Sequence, residues 1–94
     1  EYKGMVLDLL RSTITCEGRE TVLSKNEFSI LYYLLKHQGR IVSRDELMDY
    51  LWDCNDFVDD NTLTVNVNRL RNRLQEAGFS GVIQTRRKQG YILI

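Results

Sequence analysis

The chain has 94 residues, 43% of them hydrophobic, which is enough for one small domain with a single modest core. It has no apolar run near the roughly 20 residues that span a membrane, so the sequence predicts no membrane contact. The net charge is zero, but residues 1–60 carry 7 Lys and Arg against 12 Asp and Glu, whereas residues 61–94 carry 6 against 1. This segregation is expected of a protein that turns one face toward a polyanion, although a solvated surface would also tolerate it.

The first half of the chain predicts a small sheet followed by two helices. The three β-like segments are residues 5–10, 12–16 and 19–23, with a tight turn at residues 17–19. Each helix begins with a capping box, Ser24 with Glu27 and then Ser43 with Glu46. Apolar residues at helical spacing follow each box, and Gly39 is predicted to cap the end of the first helix.

The segment NTLTVNVNRLRNRL, residues 61–74, fits two patterns. Its first half alternates apolar residues as a half-buried strand does, whereas Leu70 and Leu74 are spaced as in a helix. Four apolar side chains would lie within about 60° of each other on a helix. They are Leu63, Val67, Leu70 and Leu74. The acidic pair before the segment suits a helix N-terminus, so we predict a helix over residues 61–77 with Gly78 as its C-cap.

This helix would expose a face that is unusual for solvent contact. The face consists of Asn61, Thr62, Val65, Asn68, Arg69 and Asn72. Amides and β-branched residues are mediocre helix formers, and a solvated face would more often carry Glu, Lys, Gln and Ala. The same groups read the DNA major groove, where Arg pairs with guanine, Asn with adenine, and an aliphatic group contacts the thymine methyl. We interpret the face as a base-reading surface; packing of Val65 against another domain is the alternative.

Residues 82–94 predict a β-hairpin with a cationic tip. The strands would span residues 82–85 and 91–94. The turn between them begins with Arg86, Arg87 and Lys88, which repel one another unless a polyanion neutralises them. Such a hairpin could reach DNA phosphates or the narrow minor groove.

Catalytic and metal-binding functions fit the sequence poorly. A nucleophile set built on Cys54 and His37 lacks an accompanying phosphate loop or nucleophile elbow, so no enzyme is predicted. The acidic segment 53–60 lacks the glycine and glutamate that a calcium loop requires. Cys16 and Cys54 have no metal-ligand spacing and are typical of a cytoplasmic protein, so no metal or cofactor is predicted.

Four segments together resemble the winged helix-turn-helix effector domain of the OmpR/PhoB family of bacterial response regulators. They are LSKNEFSILYYLL, VSRDELMDYLW, DDNTLTVNVNRLRNRL and QTRRKQGY. The resemblance covers essentially the whole chain and implies an α+β fold, with an N-terminal antiparallel sheet, three helices and a C-terminal β-hairpin wing, as one domain over residues 1–94. It implies sequence-specific binding of double-stranded DNA in transcriptional regulation by a two-component system. The wording DNTLTVNVNRLR is similar to regulators that respond to bacitracin or nisin.

The resemblance also implies roles for individual residues. Those expected near bases are Thr62, Thr64, Val65, Asn68 and Arg69. Those expected near the DNA backbone are Trp52, Asn61, Asn66, Arg71, Arg73, Thr85 and Tyr91, although Trp52 could equally seal the core. The wing residues expected at the minor groove are Arg86, Arg87 and Lys88. The family commonly has glycine where Lys88 stands, so either wing arginine is expected to enter the groove.

Several partners follow from the resemblance. DNA with repeated half-sites is expected, and loop 53–60 is expected either to contact RNA polymerase or simply to be solvated. The chain begins at Glu1 rather than Met, so we expect it to follow a receiver domain that a sensor kinase phosphorylates. The isolated piece is expected to be a monomer, and the full-length protein a dimer on activation. A winged helix that contacts proteins without binding DNA is the alternative function.

Overall fold

The computed structural model describes residues 4–53, 59–79 and 81–94. Its elements in chain order are β1 (Met5–Asp8), β2 (Thr13–Cys16), β3 (Arg19–Val22), α1 (Lys25–Lys36), α2 (Arg44–Asp53), α3 (Asp60–Glu76), β4 (Ile83–Arg86) and β5 (Gly90–Leu93). The predicted α+β arrangement of an N-terminal sheet, three helices and a C-terminal hairpin is confirmed. Within the described ranges, no helix combines the length and apolar character needed to cross a bilayer.

The N-terminal strands form an antiparallel sheet in the order β1, β2, β3. Cys16 lies opposite Arg19, and the two residues between them make the connecting turn. Glu17 and Gly18 both have positive φ, 52° and 80°, which is the combination that a type I′ hairpin turn requires. The turn predicted from the sequence is therefore confirmed.

Helix α1 begins with the predicted capping box. The Ser24 hydroxyl accepts the Glu27 N–H at 3.1 Å, and the Glu27 carboxylate accepts the Ser24 N–H at the same distance. The predicted end at Gly39 was wrong, because His37 is the C-cap. Gly39 lies beyond the helix with a φ of 83°, and its N–H donates to the Leu93 carbonyl of β5 at 2.9 Å. The glycine therefore serves the chain reversal toward β5 rather than the helix cap.

Helix α2 begins with the hydroxyl of Ser43, which accepts the Glu46 N–H at 3.0 Å. The Glu46 carboxylate takes hydrogen bonds from the Arg40 guanidinium, at 2.7 Å for Nη2, and from the Tyr33 hydroxyl. These two donors, Arg40 foremost, hold the pKa of the Glu46 carboxyl below its ordinary value. In the predicted capping box, the Glu46 carboxylate would accept the Ser43 N–H. Here it instead joins α2 to α1 and to the segment between them.

Helix α3 confirms the helical interpretation of the ambiguous segment. Asp59 is its N-cap and accepts the Thr62 N–H at 2.7 Å, which lowers the pKa of the Asp59 carboxyl. All four residues of the predicted apolar stripe are buried in the core. They are Leu63, Val67, Leu70 and Leu74.

The end of α3 is a Schellman motif one residue earlier than predicted, with Ala77 as the C-cap. Gly78 follows with a φ of 96° and donates its N–H to the Gln75 carbonyl. Phe79 donates to the Leu74 carbonyl at 2.7 Å, and both side chains are buried. This hydrophobic contact turns the chain back toward the hairpin.

A buried carboxylate joins α3 to α1. The Glu27 side chain is only 2% exposed, and its Oε1 atom lies 3.0 Å from Arg73 Nε. The same oxygen accepts the capping bond from Ser24, so one carboxylate both starts α1 and anchors the last turn of α3. Removing Arg73 would leave this charge buried without its partner, which is costly.

The C-terminal hairpin is tied to the segment between α1 and α2. Its strands begin and end within one or two residues of the predicted bounds. Val42 and Tyr91 form an isolated antiparallel bridge, with N–H···O distances of 2.7 and 2.9 Å. Gly90 has a φ of 141°, and a Cβ atom there would lie 2.0 Å from the Val42 carbonyl oxygen and 2.7 Å from Ser43 Cα. Only glycine permits this approach, since the atoms in the way belong to the backbone.

Replacing Gly90 with Ala should therefore lower the free energy of unfolding by roughly 3 kcal/mol or more, through overpacking and positive-φ strain together. Gly81→Ala is the matched control, because Gly81 also has a positive φ but faces open space. Its cost should be limited to the strain, about 1–2 kcal/mol. Urea unfolding of both variants measures the difference, and equal losses would contradict the packing argument.

Candidate nucleic-acid interface

The outer face of α3 is exposed as the sequence predicted. All six residues expected on it are solvent-accessible: Asn61, Thr62, Val65, Asn68, Arg69 and Asn72. Val65 is 45% exposed, which places an aliphatic group among amides and a guanidinium. No acidic residue occurs between positions 61 and 75, so the only charge on this face is positive.

The wing tip lies beside the N-terminal ends of α2 and α3. Arg86, Arg87 and Lys88 are all exposed, and together with Arg44 and Asp60 they line a cleft of about 500 Å³. The cationic turn and the start of α3 therefore border one continuous concavity. Asp45 and Asp60 also line this cleft, so it is the row of three exposed wing cations that suits a ligand with closely spaced negative charges.

The wing turn places Lys88 in the left-handed region, with a φ of 64°. A lysine there is strained, because its Cβ crowds the following carbonyl oxygen. The backbone at Lys88 thus has the conformation that glycine favours, and the lysine adds an exposed cation there. Both wing arginines are exposed, so either side chain is accessible to a groove.

A residue that the sequence analysis missed, Arg44, connects three elements. Its Nε lies 3.2 Å from the Asp60 carboxylate, and its Nη2 donates to the Asp60 carbonyl at 2.7 Å and to the Thr64 hydroxyl at 2.8 Å. Its Nη1 donates to the hydroxyl of Tyr91 in β5. A cation in the first turn of a helix opposes the helix dipole, and that irregularity in α2 was the available signal.

These bonds bear on the predicted roles of two residues. The Thr64 hydroxyl accepts from Arg44 and donates to the Asp60 carbonyl at 3.1 Å, so its methyl group is the part left for a base. Tyr91 is only 3% exposed, and its hydroxyl is already bonded to Arg44. Both residues build the interface from within before they meet any ligand.

A second set of bonds joins the middle of α3 to the hairpin. Arg71 donates to the Thr85 hydroxyl, to the Ile83 carbonyl at 3.3 Å and to the Asn68 amide oxygen at 3.4 Å. Its guanidinium also lies 6.0 Å from the centre of the Tyr91 ring. Arg71 and Thr85, two of the seven residues predicted near the DNA backbone, therefore contact each other on the exposed side of the domain.

The other residues predicted to contact the DNA backbone differ in their exposure. Asn66 is only 7% exposed, so little of its side chain can reach a phosphate. Arg73 is about half-exposed and paired with buried Glu27. Trp52 is 61% exposed at the end of α2, which excludes the alternative that it seals the core.

The opposite charge collects on α2. Asp45, Asp49 and Asp53 are exposed at intervals of four residues, and Asp45 lines the cleft that the wing cations border. Most of loop 53–60, the predicted contact with RNA polymerase, lies outside the described residues, as does Cys54. Cys16 is a half-buried free thiol. Where the structure is described, no three His, Cys, Asp or Glu side chains are grouped as metal ligands would be.

Comparison with known proteins points to one family. Residues 18–93 match the family described as "Transcriptional regulatory protein, C terminal". The chain is 46% identical over 89 residues to the sensory transduction protein BceR of Halalkalibacterium halodurans, a match covering 95% of this chain and 38% of BceR. The chain therefore spans less than half the length of this relative.

Solved structures resemble the chain along its whole length. The C-terminal domain of the nisin resistance regulator NsrR, a lantibiotic response regulator, is 36% identical with a TM-score of 0.91, covering 99% of this chain and 94% of that domain. The DNA-binding domain of Klebsiella pneumoniae RstA, solved in complex with the RstA box, is 28% identical with a TM-score of 0.80 and coverages of 99% and 93%.

The strain at Lys88 can be measured separately from its charge. Lys88→Gly should raise the free energy of unfolding by about 0.5–1 kcal/mol, which is the strain relieved less the entropy that glycine loses. Lys88→Ala removes the same charge but keeps a Cβ at positive φ, so it should bring no such gain. Thermal unfolding at matched ionic strength distinguishes the two, and equal stabilities would show that the turn is unstrained.

Proposed function

The chain belongs to the transcriptional regulatory protein C-terminal family, OmpR/PhoB-type DNA-binding domains, and on that premise we propose how it binds DNA. Helix α3 enters the major groove of double-stranded DNA as the recognition helix, and the wing at residues 86–90 lies at the neighbouring minor groove. Binding is sequence-specific and regulates transcription. No catalytic step belongs to this function.

One observation carries this proposal: the outer face of α3 and the wing tip present hydrogen-bonding groups and exposed cations, and the carboxylate at the start of α3, Asp60, is paired with Arg44. Between residues 61 and 94 the only acidic residue is Glu76, at the C-terminal end of α3. A recognition helix needs exposed hydrogen-bonding groups toward its N-terminal half, which Asn61, Thr62 and Asn68 supply, and Val65 adds an aliphatic group that suits a thymine methyl. The cations at the wing tip supply the charge that phosphates attract.

The residue roles divide by exposure. Those that we assign to bases are Thr62, Thr64 through its methyl group, Val65, Asn68 and Arg69. Those that we assign to phosphates are Trp52, Asn61, Arg71 and Thr85, with Arg86, Arg87 and Lys88 at the minor groove. Asn66, Arg73 and Tyr91 support the interface from within, because their side chains are buried or already paired.

The wider setting follows from the relatives. We propose that the chain is the effector domain of a two-component response regulator whose receiver domain is phosphorylated by a sensor kinase, and that the protein acts in the cytoplasm. The likeness to BceR and to the nisin resistance regulator supports a role in resistance to antimicrobial peptides. Repeated half-sites, dimerisation on activation and a monomeric isolated domain remain predictions, as does contact of loop 53–60 with RNA polymerase.

Replacing Arg69 or Arg87 with Ala should weaken DNA binding in different ways. Loss of Arg69 should cost about 1–3 kcal/mol on a duplex that the wild-type domain selects from a random pool, and much less on other sequences. Loss of Arg87 should weaken binding evenly across sequences and reduce the slope of log K against log salt by about one. Fluorescence anisotropy titrations at several salt concentrations measure both quantities.

The control is Arg19→Ala, which removes an exposed cation from β3, outside the proposed interface. Its affinity and salt slope should match those of the wild type. Equal losses on every sequence for Arg69→Ala would refute its base-reading role. An unaltered salt slope for Arg87→Ala would remove the wing from the DNA surface.

A further inference from the structure

We propose that Arg44 is a positioning residue that fixes the recognition helix relative to the wing and does not itself hold a phosphate. The inference rests on the proposed function, because the spacing matters only if α3 and the wing occupy neighbouring grooves of one duplex. Arg44 is well placed for this task. It lies at the first position of α2 and contacts the first turn of α3 on one side and β5 on the other.

The hydrogen-bond inventory of Arg44 is nearly full. A guanidinium carries five N–H donors, and four of them are used by Asp60, Thr64 and Tyr91. A phosphate contact would therefore have one donor left or would have to displace an existing bond. Bidentate binding of phosphate, the usual reason for an arginine at a DNA surface, would therefore require Arg44 to break at least one of these bonds.

The charge of Arg44 is also compensated inside the protein. The Asp60 carboxylate lies 3.2 Å from Nε, and the Arg44 side chain is 35% exposed. This pair accounts for the two irregularities at the helix N-termini, a cation in the first turn of α2 and an acidic residue on a DNA-facing element. Asp60 suits the positive end of α3 and neutralises Arg44 at the same time.

The contacts of Arg44 join the first turn of α3 to β5, in addition to the burial of Leu63 in the core. The Val42 and Tyr91 backbones are paired beside it, and Arg71 reaches Thr85 further along the hairpin. Neither contact involves the first turn of α3, where the base-reading residues begin. A binding site loses its productive geometry when its supporting residues let it move by about 1 Å. The link that Arg44 makes between the first turn of α3 and β5 therefore affects how well the domain distinguishes DNA sequences.

Lysine distinguishes the two roles that a cation here could have. A lysine keeps the charge and can still hold a phosphate as a point charge, but its single ammonium cannot reach a carboxylate, a carbonyl, a threonine hydroxyl and a tyrosine hydroxyl with a planar fork. If Arg44 positions α3 and the wing, Arg44→Lys should lose sequence discrimination. If Arg44 binds phosphate, Arg44→Lys should largely retain both the contact and the sequence discrimination.

The test compares Arg44→Lys with Arg40→Lys in the 94-residue chain. Arg40 is a matched control, since it also joins a carboxylate at the start of α2 but lies outside the interface. The probes are a duplex selected by the wild-type domain from a randomised pool and a scrambled duplex of equal length. Affinities are measured by anisotropy, at several salt concentrations and at a temperature where circular dichroism shows every variant folded.

We expect Arg44→Lys to lower the ratio of selected to scrambled affinity by about tenfold, the value of one good base contact, with the salt slope on scrambled DNA unchanged. Arg40→Lys should leave the ratio unchanged. Tyr91→Phe, which removes the hydroxyl that accepts from Arg44, should lower the ratio in the same direction, and it decides the matter if Arg44→Lys does not fold.

One result would overturn the inference while leaving the proposed function intact. It is a ratio of selected to scrambled affinity that stays at the wild-type value in Arg44→Lys, or in Tyr91→Phe if Arg44→Lys does not fold, whether or not both affinities fall together. Failure of the wild-type domain to bind either duplex would instead refute the proposed function, and the inference with it.

Discussion

The position of the wing depends on the close approach of Gly90 to the backbone of Val42 and Ser43. The Val42 and Tyr91 backbones exchange two hydrogen bonds there, and no side-chain atom fits between the two segments. This contact brings β5 beside the start of α2, where Arg44 reaches the Tyr91 hydroxyl and the first turn of α3. One backbone constraint thus sets where the hairpin, α2 and the recognition helix meet.

The cations near the proposed DNA surface fall into two groups, those paired with a carboxylate and those without one. Arg73 is neutralised by buried Glu27, and the charge of Arg44 by Asp60. Four cations from the last third of the chain have no ion-pair partner among the described residues and lie on the outer face of α3 or at the wing tip. They are Arg69, Arg86, Arg87 and Lys88. Their mutual repulsion destabilises the free domain and is relieved when a polyanion binds.

Local signals predicted most of the fold, because capping boxes, turn residues and apolar stripes act within a few residues of each other. Ser24 with Glu27 and the buried stripe of α3 belong to this class. The outer face of α3 followed from the same periodicity. The bonds of Arg44 and the ion pair of Arg73 could not be predicted, since they join residues 16–47 positions apart that only the tertiary fold brings together. The resemblance placed Asn66 and Tyr91 at the DNA backbone, but both are buried by tertiary packing, which the sequence pattern did not reveal.

The central claim, that α3 and the wing form one DNA-binding face, is tested most directly by a backbone-amide NMR titration with a random-sequence duplex at low salt. Non-specific binding should be measurable there, since its dissociation constant is about 10⁻⁴–10⁻⁶ M even at physiological salt. The account predicts shifts concentrated in residues 61–73 and 86–91 that vanish when salt is added. If those amides do not respond while the domain is folded, this surface does not bind DNA, and protein partners of the winged helix are to be sought next.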